Sequence, residues 1–262
     1  MTSLPASFLR IPITHRGLHN AALGISENSR AAFTAAIKAG FAIETDLQLS
    51  SDSEAMVFHD HYLERMTNSS GAIRMRTAAE LRKTKLKFGT ETIFDLYELL
   101  ELVNGRVPIL IELKDQDGAF GTNVGQLELR TAEILRNYKG DVAVMSFNPH
   151  MVMNMADLAP TIPRGLTTSD FEHRLWPKIS SKRAKELAGI HDFDRTGSCF
   201  ISHDHELLNT APVSRLRSSG VPVLCWAIKS AEEEAAARRL ADNFTFEGYI
   251  PAKHSQLENP HD

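Results

Sequence analysis

The segment Ile43-Glu44-Thr45-Asp46-Leu47-Gln48-Leu49-Ser50 places apolar and polar residues in near alternation. Its apolar positions 43, 47 and 49 predict a β-strand that is buried on at least one face. Glu44 and Asp46 lie two residues apart, so both carboxylates point to the same face of that strand. Two such groups repel each other unless a positive group lies between them, and a divalent cation with oxygen ligands would fill that place. The alternative is an exposed strand face that carries two solvated acids.

Strand and helix patterns alternate on both sides of this segment. Residues 9–14 predict a short strand, and Ser26-Glu27-Asn28-Ser29 precedes an amphipathic helix that ends at Gly40. Further strands are predicted at 55–58, 107–111, 142–147, 163–167, 199–202, 221–228 and 244–250, and further helices at 94–103, 126–138, 151–158, 182–187, 213–218 and 231–240. This alternation, with strands of the buried type, indicates an α/β fold, a TIM (β/α)8 barrel, rather than an all-β fold. The rival is a doubly wound open sheet, but the sequence lacks the Gly-rich loop that such a sheet usually carries after its first strand.

Residues 61–90 interrupt the alternation. They are rich in arginine and lysine and hold few long apolar runs. We expect them to form a small insertion over one end of the barrel, directly after His59-Asp60. The whole chain, residues 1–262, is then a single barrel domain that includes this insertion.

The composition bounds the class of protein. The 262 residues are 42% hydrophobic and 24% charged, which suits a globular chain with a sizeable core. The net charge of −4 offers no electrostatic case for nucleic acid or for an anionic membrane. Cys199 and Cys225 predict no disulfide framework and fit a reducing compartment. Since the sequence shows neither a signal peptide nor an integral membrane segment, we expect a cytoplasmic protein.

Polar residues with catalytic chemistry cluster at the ends of the early predicted strands. In a (β/α) barrel the carboxyl ends of the strands meet at one mouth, where the active site lies. Four stretches would therefore deliver their side chains to one place: His15 and Arg16, Glu44 and Asp46, His59, and Glu112 with Lys114. Taken singly, each has another explanation: a turn at His15-Arg16-Gly17, a helix cap at His59-Asp60, and an ion pair between Glu112 and Lys114.

A charge count indicates the class of ligand. Three carboxylates carry −3, one divalent cation brings the cluster to −1, and Arg16 with Lys114 brings it to +1. A phosphodiester carries −1 and would make the loaded site neutral. Two histidines beside the metal could divide the proton transfers, one activating the attacking hydroxyl and the other protonating the leaving alkoxide.

Together these motifs resemble the glycerophosphodiester phosphodiesterase family over nearly the whole chain. The similarity is specific up to residue 114 and looser beyond it. The matching segments are His15-Arg16-Gly17, Glu27-Asn28-Ser29, Glu44-Thr45-Asp46, His59-Asp60, Leu63-Glu64-Arg65, Gly71, Glu80-Leu81, Glu112-Leu113-Lys114, Ser146-Phe147 and Leu224-Cys225-Trp226.

The resemblance implies a TIM barrel enzyme that hydrolyses glycerophosphodiesters to glycerol 3-phosphate and an alcohol. It also implies roles for individual residues. Glu44, Asp46 and Glu112 would bind one Mg²⁺ or Ca²⁺; His15 and His59 would be the acid–base pair; Arg16 and Lys114 would hold the phosphate, with Glu27 close by. Trp226 is either part of the core or a flat wall against the substrate, and we favour the wall because it lies near a strand end.

Departures from the family pattern leave the alcohol open. Ser26 stands where the family commonly has Pro, and segments 226–229 and 244–251 differ from the family's Trp-Thr-Val-Asn and Thr-Asp-x-Pro. The substrate could be a small glycerophosphodiester, a lysophospholipid or a sugar phosphodiester.

His203-Asp204-His205 is not explained by the family pattern. A His-x-His pair can bind zinc, so an amidohydrolase-type zinc barrel is an alternative; the two histidines could otherwise be polar loop residues or contacts to the alcohol. A barrel that only binds phosphodiesters or a protein partner is a third hypothesis. The sequence leaves open direct water attack against a cyclic phosphate intermediate, and a monomer against a homo-oligomer.

Overall fold

Eight parallel strands close into a barrel in the computed structural model, which describes residues 2–172 and 176–251. The strands in chain order are β1 (Ile13–Thr14), β2 (Ala42–Leu49), β3 (Ala55–Val57), β4 (Ile109–Leu113), β5 (Val142–Ser146), β6 (Arg164–Thr168), β7 (Phe200–Asp204), β8 (Val223–Ile228) and β9 (Asn243–Phe246). Hydrogen bonding runs β1-β2-β4-β5-β6-β7-β8-β9 and returns from β9 to β1, while β3 lies outside the ring. The predicted TIM barrel is confirmed.

All but two of the described helices connect successive barrel strands and cover the outside of the barrel; the first precedes β1, and the third lies within residues 61–90. In chain order they are α1 (Ser7–Arg10), α2 (Arg30–Ala39), α3 (Ala78–Leu81), α4 (Leu96–Val103), α5 (Gln126–Leu135), α6 (Pro149–Leu158), α7 (Ser181–Ala188), α8 (Ala211–Ser218) and α9 (Ala231–Ala237). The predicted helix start and stop around α2 are confirmed, because the Ser29 hydroxyl accepts from Ala32 N and Gly40 adopts a φ of 71°. Over the described ranges, no helix combines the length and apolar character needed to span a bilayer.

The alternation of β2 and β4 decides which side chains point into the barrel. Ala42 and Leu110 belong to the inner apolar cluster, whereas Ile43 and Ile111 belong to the core between strands and helices. Since successive strand residues point to opposite faces, the acidic positions that follow Ala42 and Leu110 by two residues point inward as well.

The start of the chain differs from the prediction. Residues 9–14 were expected to be a strand, but Leu9 and Arg10 end helix α1, and only Ile13–Thr14 join the sheet. Helix α1 lies across the lower end of the barrel, where Phe8 is fully buried in the inner cluster with Phe200 and Leu224. Helix α1, with Phe8 in the apolar interior, therefore forms a plug at the lower end of the barrel, and the first strand is shorter than predicted.

The strand predicted at 55–58 is also not a barrel strand. Strand β3 is antiparallel to β2, with Leu47 opposite Val57. Because β2 is eight residues long and extends past the rim, the hairpin turns above the mouth and returns, so that Phe58 N donates to Asp46 O at 3.0 Å. His59 thus reaches the mouth on a returning hairpin, not at the carboxyl end of a parallel strand.

Residues 61–90 follow this hairpin and hold α3, the 3-10 helix Ile73–Met75, and isolated bridges that pair Tyr62 with Ala72 and Thr67 with Leu86. Thr77 and Glu80 form a reciprocal capping box at the start of α3. Several apolar side chains of this region form a separate buried cluster with the end of the hairpin: Met56, Phe58, Leu63, Met66, Ile73, Ala78, Leu81, Leu86 and Ile93.

Candidate active site

Three inward carboxylates lie together at the mouth. Glu44 and Asp46 come from β2 and Glu112 from β4, where Asp46 and Glu112 are register partners. Their exposed fractions are 2%, 1% and 7%, and one carboxylate oxygen from each lies within 4.8 Å of the others. Within residues 2–172 and 176–251, no other group of three His, Cys, Asp or Glu side chains comes close enough to share an ion.

The triad gathers buried negative charge. Burial raises the pKa of Glu44 well above its usual value, and the negative charges of Asp46 and Glu112 raise it further. The pKa of Glu112 is raised mainly by burial. Burial would also raise the pKa of Asp46, but the Lys114 ammonium and other nearby cations hold it below its usual range. Three buried oxygen donors under mutual repulsion fit a hard divalent cation such as Mg²⁺ or Ca²⁺.

Lys114 lies at the edge of the triad. Its Nζ is 2.7 Å from Glu112 Oε1 and 2.9 Å from Asp46 Oδ1. The pKa of Lys114 is raised because these two carboxylates outweigh the burial of the ammonium group. The amine is therefore charged and lies beside the oxygens that would hold a metal.

Arg16 approaches the triad from the loop after β1. Arg16 has a φ of 58°, and its main-chain N donates to Glu44 Oε2 at 2.9 Å. Its guanidinium is 3.6 Å from Asp46 Oδ2 and donates from Nη1 to Glu27 Oε1 at 3.0 Å. Glu27, expected close to the site, thus contacts it through Arg16.

Asn28 is a site residue for which the sequence offered no role. Its Nδ2 donates to Asp46 Oδ2 at 2.9 Å, and its Oδ1 accepts from Thr45 Oγ1 at 2.9 Å. Its main-chain N donates to Arg16 O at 2.9 Å, and its φ is 49°. Asparagine tolerates this left-handed conformation better than most residues. The asparagine in the Glu27-Asn28-Ser29 motif was therefore the sequence feature that could have indicated this position.

The two histidines lie on the wall of the same cavity as the triad, and each contacts a carboxylate through Nδ1. His59 Nδ1 is 2.6 Å from Asp60 Oδ1, and His15 Nδ1 is 2.8 Å from Glu247 Oε2. Burial lowers the pKa of His15, and burial with the Lys114 ammonium lowers that of His59 to about 4. Both imidazoles are therefore neutral near pH 7 before substrate binds.

Asp60 and Glu27 are tied together by Arg65, from the region 61–90. Arg65 donates from Nε to Asp60 Oδ2 at 2.6 Å and from Nη2 to Glu27 Oε1 at 2.6 Å. The region predicted as an insertion therefore contributes a guanidinium that joins the carboxylate partners of His59 and Arg16.

The mouth opens into a cavity of about 1400 Å³. Of the predicted site residues, those on its wall are His15, Arg16, Glu27, Glu44, His59, Glu112, Lys114 and Trp226, while Asp46 lies beneath them. The opposite wall is aromatic: Trp226 packs against Phe147 at 5.6 Å between ring centroids, and Phe147 against Trp176 at 4.9 Å. Trp226 Nε1 donates to Ser202 O at 3.1 Å, which fixes the indole on the wall.

His203 and His205 point to different places. His203 is buried on the outward face of β7, in register with Cys225, and its Nδ1 is 2.7 Å from Thr168 Oγ1. His205 begins a 3-10 turn after β7 and lines the cavity. The local sequence could not separate these roles, because the chain leaves its strand between the two residues.

Glu247 and Asp60 were not among the predicted site residues. Asp60 belongs to the His59-Asp60 motif, which predicts no separate role for it. Glu247 lies inside the strand predicted at 244–250, so the strand-end rule that selected Glu112 and Lys114 did not select it. In the structure β9 ends at Phe246, and Glu247 directly follows it at the mouth. Its partner His15 precedes it by 232 residues, and only the closure of the barrel brings the two together.

Comparisons with known proteins point to one family. The profile of the glycerophosphoryl diester phosphodiesterase family matches residues 15–242. YhdW of Bacillus subtilis (strain 168) is 27% identical over 232 residues, covering 85% of this chain and 88% of the relative. The glycerophosphodiester phosphodiesterase of Caldanaerobacter subterraneus subsp. tengcongensis is 31% identical over 161 residues, covering 59% of this chain and 65% of that enzyme.

A solved structure shares the fold. The phosphodiesterase of Oleispira antarctica, determined in complex with the product sn-glycerol-3-phosphate, superimposes with a TM-score of 0.72 at 23% identity, covering 95% of this chain and 96% of that one. The predicted family and enzyme class are confirmed: the chain belongs to the glycerophosphoryl diester phosphodiesterase family.

Proposed function

We propose that this protein hydrolyses glycerophosphodiesters to glycerol 3-phosphate and an alcohol, with one Mg²⁺ or Ca²⁺ held by Glu44, Asp46 and Glu112. One observation carries the proposal. A buried carboxylate triad contacts Lys114 and Arg16, and shares its cavity with two histidines whose Nδ1 atoms contact carboxylates. A module that only binds phosphodiesters has no need for two such histidines.

The charges of the triad and its two adjacent cations favour an anionic substrate. The three carboxylates with Lys114 and Arg16 together carry −1, and with a divalent ion bound this group of side chains would carry +1. A charge of +1 there complements the single negative charge of a phosphodiester. When bound, such an ion supplies polarisation of a phosphoryl oxygen.

The side chains of this chain would perform the binding and the proton transfers. Arg16 and Lys114 hold the phosphate and offset the charge that grows in the transition state. Nδ1 of each imidazole donates to its carboxylate, which leaves Nε2 of His15 and of His59 free to move a proton. One ring accepts the proton of the attacking hydroxyl at Nε2. The other ring takes up a proton from solvent at Nε2 when the anionic diester binds, and this imidazolium donates that proton to the leaving alkoxide.

The alcohol side of the substrate is less closely determined. The aromatic wall of Phe147, Trp176 and Trp226 can pack against an apolar group, so a lysophospholipid is the second candidate substrate. Sugar phosphodiesters are a third. A zinc site built on His203 and His205 has less support, because His203 faces away from the cavity.

The test measures glycerol 3-phosphate release from glycerophosphocholine by metal-stripped protein, with Mg²⁺ or Ca²⁺ added back. We expect release that depends on added metal. In His15→Ala and His59→Ala variants we expect the rate to fall by about 10²–10⁴-fold, the usual contribution of a general acid or base. Near-normal turnover in both variants would remove the proposed histidine roles.

The result also separates the substrate candidates. No release with either metal, but turnover of a lysophospholipid or sugar phosphodiester, would move the substrate to that class. Tight binding of diesters with hydrolysis of none would mean that the barrel only binds. Stoichiometric zinc in the purified protein would favour the amidohydrolase alternative.

We also place the reaction in a reducing, cytoplasmic compartment. Cys199 and Cys225 are both free thiols, and Cys225 is fully buried. Burial raises the pKa of the Cys225 thiol to about 12, so it stays protonated and unreactive.

A further inference from the structure

Glu247 lies at the mouth of the barrel, directly after β9. Its main-chain N donates to Ile228 O at 3.0 Å, which ties the residue to the end of β8. Its Oε2 is 2.8 Å from His15 Nδ1, and its side chain is 23% exposed. The last barrel strand therefore delivers a carboxylate to the first one at a fixed position.

Other groups hold the Glu247 carboxylate in place. Lys229 Nζ, from the loop after β8, lies 3.2 Å from Oε1, and His19 Nε2, from the loop after β1, lies 3.6 Å from Oε2. The hydrogen bond from His15 is the largest of several contacts that hold the pKa of Glu247 below its usual range. The side chain is consequently a fixed anion at neutral pH.

The second histidine has the same kind of support. His59 Nδ1 contacts Asp60, and Arg65 binds that carboxylate through two nitrogens. On both sides of the triad, an imidazole thus meets an anchored anion at Nδ1. A carboxylate at Nδ1 fixes the tautomer and the ring orientation, and it stabilises the imidazolium form.

We propose that Glu247 is a positioning residue for the reaction: it holds His15 with Nδ1 protonated and Nε2 directed toward the substrate. This inference rests on the proposed function, since it acts through the proton transfer assigned to His15. Lys229 assists by anchoring the carboxylate, not by contacting the histidine.

The charge of Glu247 also sets the proton affinity of His15. Burial lowers the pKa of His15, the contact with Glu247 raises it, Arg16 lowers it and Asp46 raises it. An amide at position 247 could still accept from Nδ1 but would not stabilise the imidazolium. Removing the charge should therefore move the His15 limb of the pH–rate profile to lower pH.

The test is a double-mutant cycle on metal-loaded protein with glycerophosphocholine, using Glu247→Gln, His15→Ala and the double variant. We expect Glu247→Gln to lower kcat by about 10²-fold with little change in KM. In the His15→Ala background the same change should have almost no further effect, because a positioning residue acts only through its partner.

Two further variants sharpen the test. Glu247→Asp keeps the charge and should recover part of kcat and the wild-type pH profile. Glu101→Gln removes an exposed carboxylate on α4, away from this cavity, and should leave kcat and the profile unchanged. Melting temperatures and their increase on adding metal should be similar in all these proteins, which excludes misfolding or metal loss as the cause.

The outcomes distinguish this inference from the proposed function. A wild type that hydrolyses no diester, or a fully active His15→Ala variant, contradicts the proposed function or the role of His15. An active wild type with inactive His15→Ala, but with Glu247→Gln unchanged in kcat and pH profile, overturns the positioning role alone. Equal losses from Glu247→Gln with and without His15 would show that Glu247 acts elsewhere.

Discussion

At the scale of single residues, the site is built from charges that are unfavourable without a ligand. Glu44 and Glu112 are buried beside Asp46, and their raised pKa values reflect burial and mutual repulsion. Lys114 and Arg16 compensate only part of this charge. Such an arrangement lowers the stability of the ligand-free protein, and the free energy of ligand binding compensates for that loss.

This arrangement predicts opposite effects of Glu44→Gln with and without metal. In metal-free protein at pH 8 the change relieves repulsion and should raise the melting temperature, by about 2–4 °C for each kcal/mol relieved. Metal should stabilise the wild type by ~2.7 kcal/mol at a concentration of 100 Kd, and the variant much less. Differential scanning calorimetry with and without Mg²⁺ or Ca²⁺ measures both. Glu101→Gln is the control, and an unchanged metal response in Glu44→Gln would argue against its role as a ligand.

At the scale of elements, the length of β2 decides the position of His59. Its eight residues reach past the rim, and the antiparallel hairpin with β3 then returns the chain to the level of Asp46. The next strand, β4, ends at Leu113 after five residues and carries Glu112 and Lys114 directly at its end. Two different routes thus supply one mouth.

Because His203 is buried on the outward face of β7, we expect the stability of the protein to depend on pH. His203 is 2% exposed, and burial lowers its pKa to about 4, so the ring stays neutral in the folded protein. Since the unfolded chain binds a proton near pH 6.5, protonation favours unfolding. The stability is fully present above about pH 6.5 and falls as the pH drops toward 4, by up to ~3 kcal/mol for this group.

Urea denaturation of wild type and His203→Gln at pH 7.5 and 4.5 measures this effect. The loss on acidification should be smaller in His203→Gln than in the wild type, because the variant has no proton to gain there. His191→Gln, a change at an exposed histidine, is the matched control. Equal losses in all three proteins would show that His203 does not carry the effect.

At the scale of the whole molecule, the two ends of the barrel have different tasks. The upper end holds the charged cavity, whereas the lower end is closed by α1, with Phe8 in the apolar interior. Asn243 Nδ2, from β9, donates to Phe8 O at 2.7 Å and joins this plug to the closing strand. Stability and chemistry are therefore separated along the barrel axis.

Phe8→Ala should accordingly destabilise the protein without changing its chemistry. Loss of a fully buried phenylalanine typically costs about 3–5 kcal/mol of unfolding free energy. Below the melting temperature, kcat/KM should stay within about twofold of wild type. Leu9→Ala, at a half-buried position of the same helix, should cost much less. A large loss of kcat/KM in folded Phe8→Ala would contradict this separation.

Local pattern was enough to predict most of the fold and the centre of the candidate site. Alternation along β2 and β4 determines which faces are apolar, so the inward direction of Glu44, Asp46 and Glu112 was already present in residue order. Helix α2 could be predicted equally well, because the residues that begin and end it, Ser29 and Gly40, are local features of the sequence. Buried-type strands that alternate with helices are compatible with only a few chain topologies. The closed (β/α)8 barrel is one of them.

Only the tertiary structure decided the features that depend on distant contacts. The antiparallel direction of β3 and the plug formed by α1 result from packing against the finished barrel, not from local preference. The pairing of His15 with Glu247 arises because β9 closes onto β1, and the separation of His203 from His205 arises because the chain leaves β7 between them. Sequence patterns record which side chains share a face; which faces meet is decided by the closure of the whole sheet.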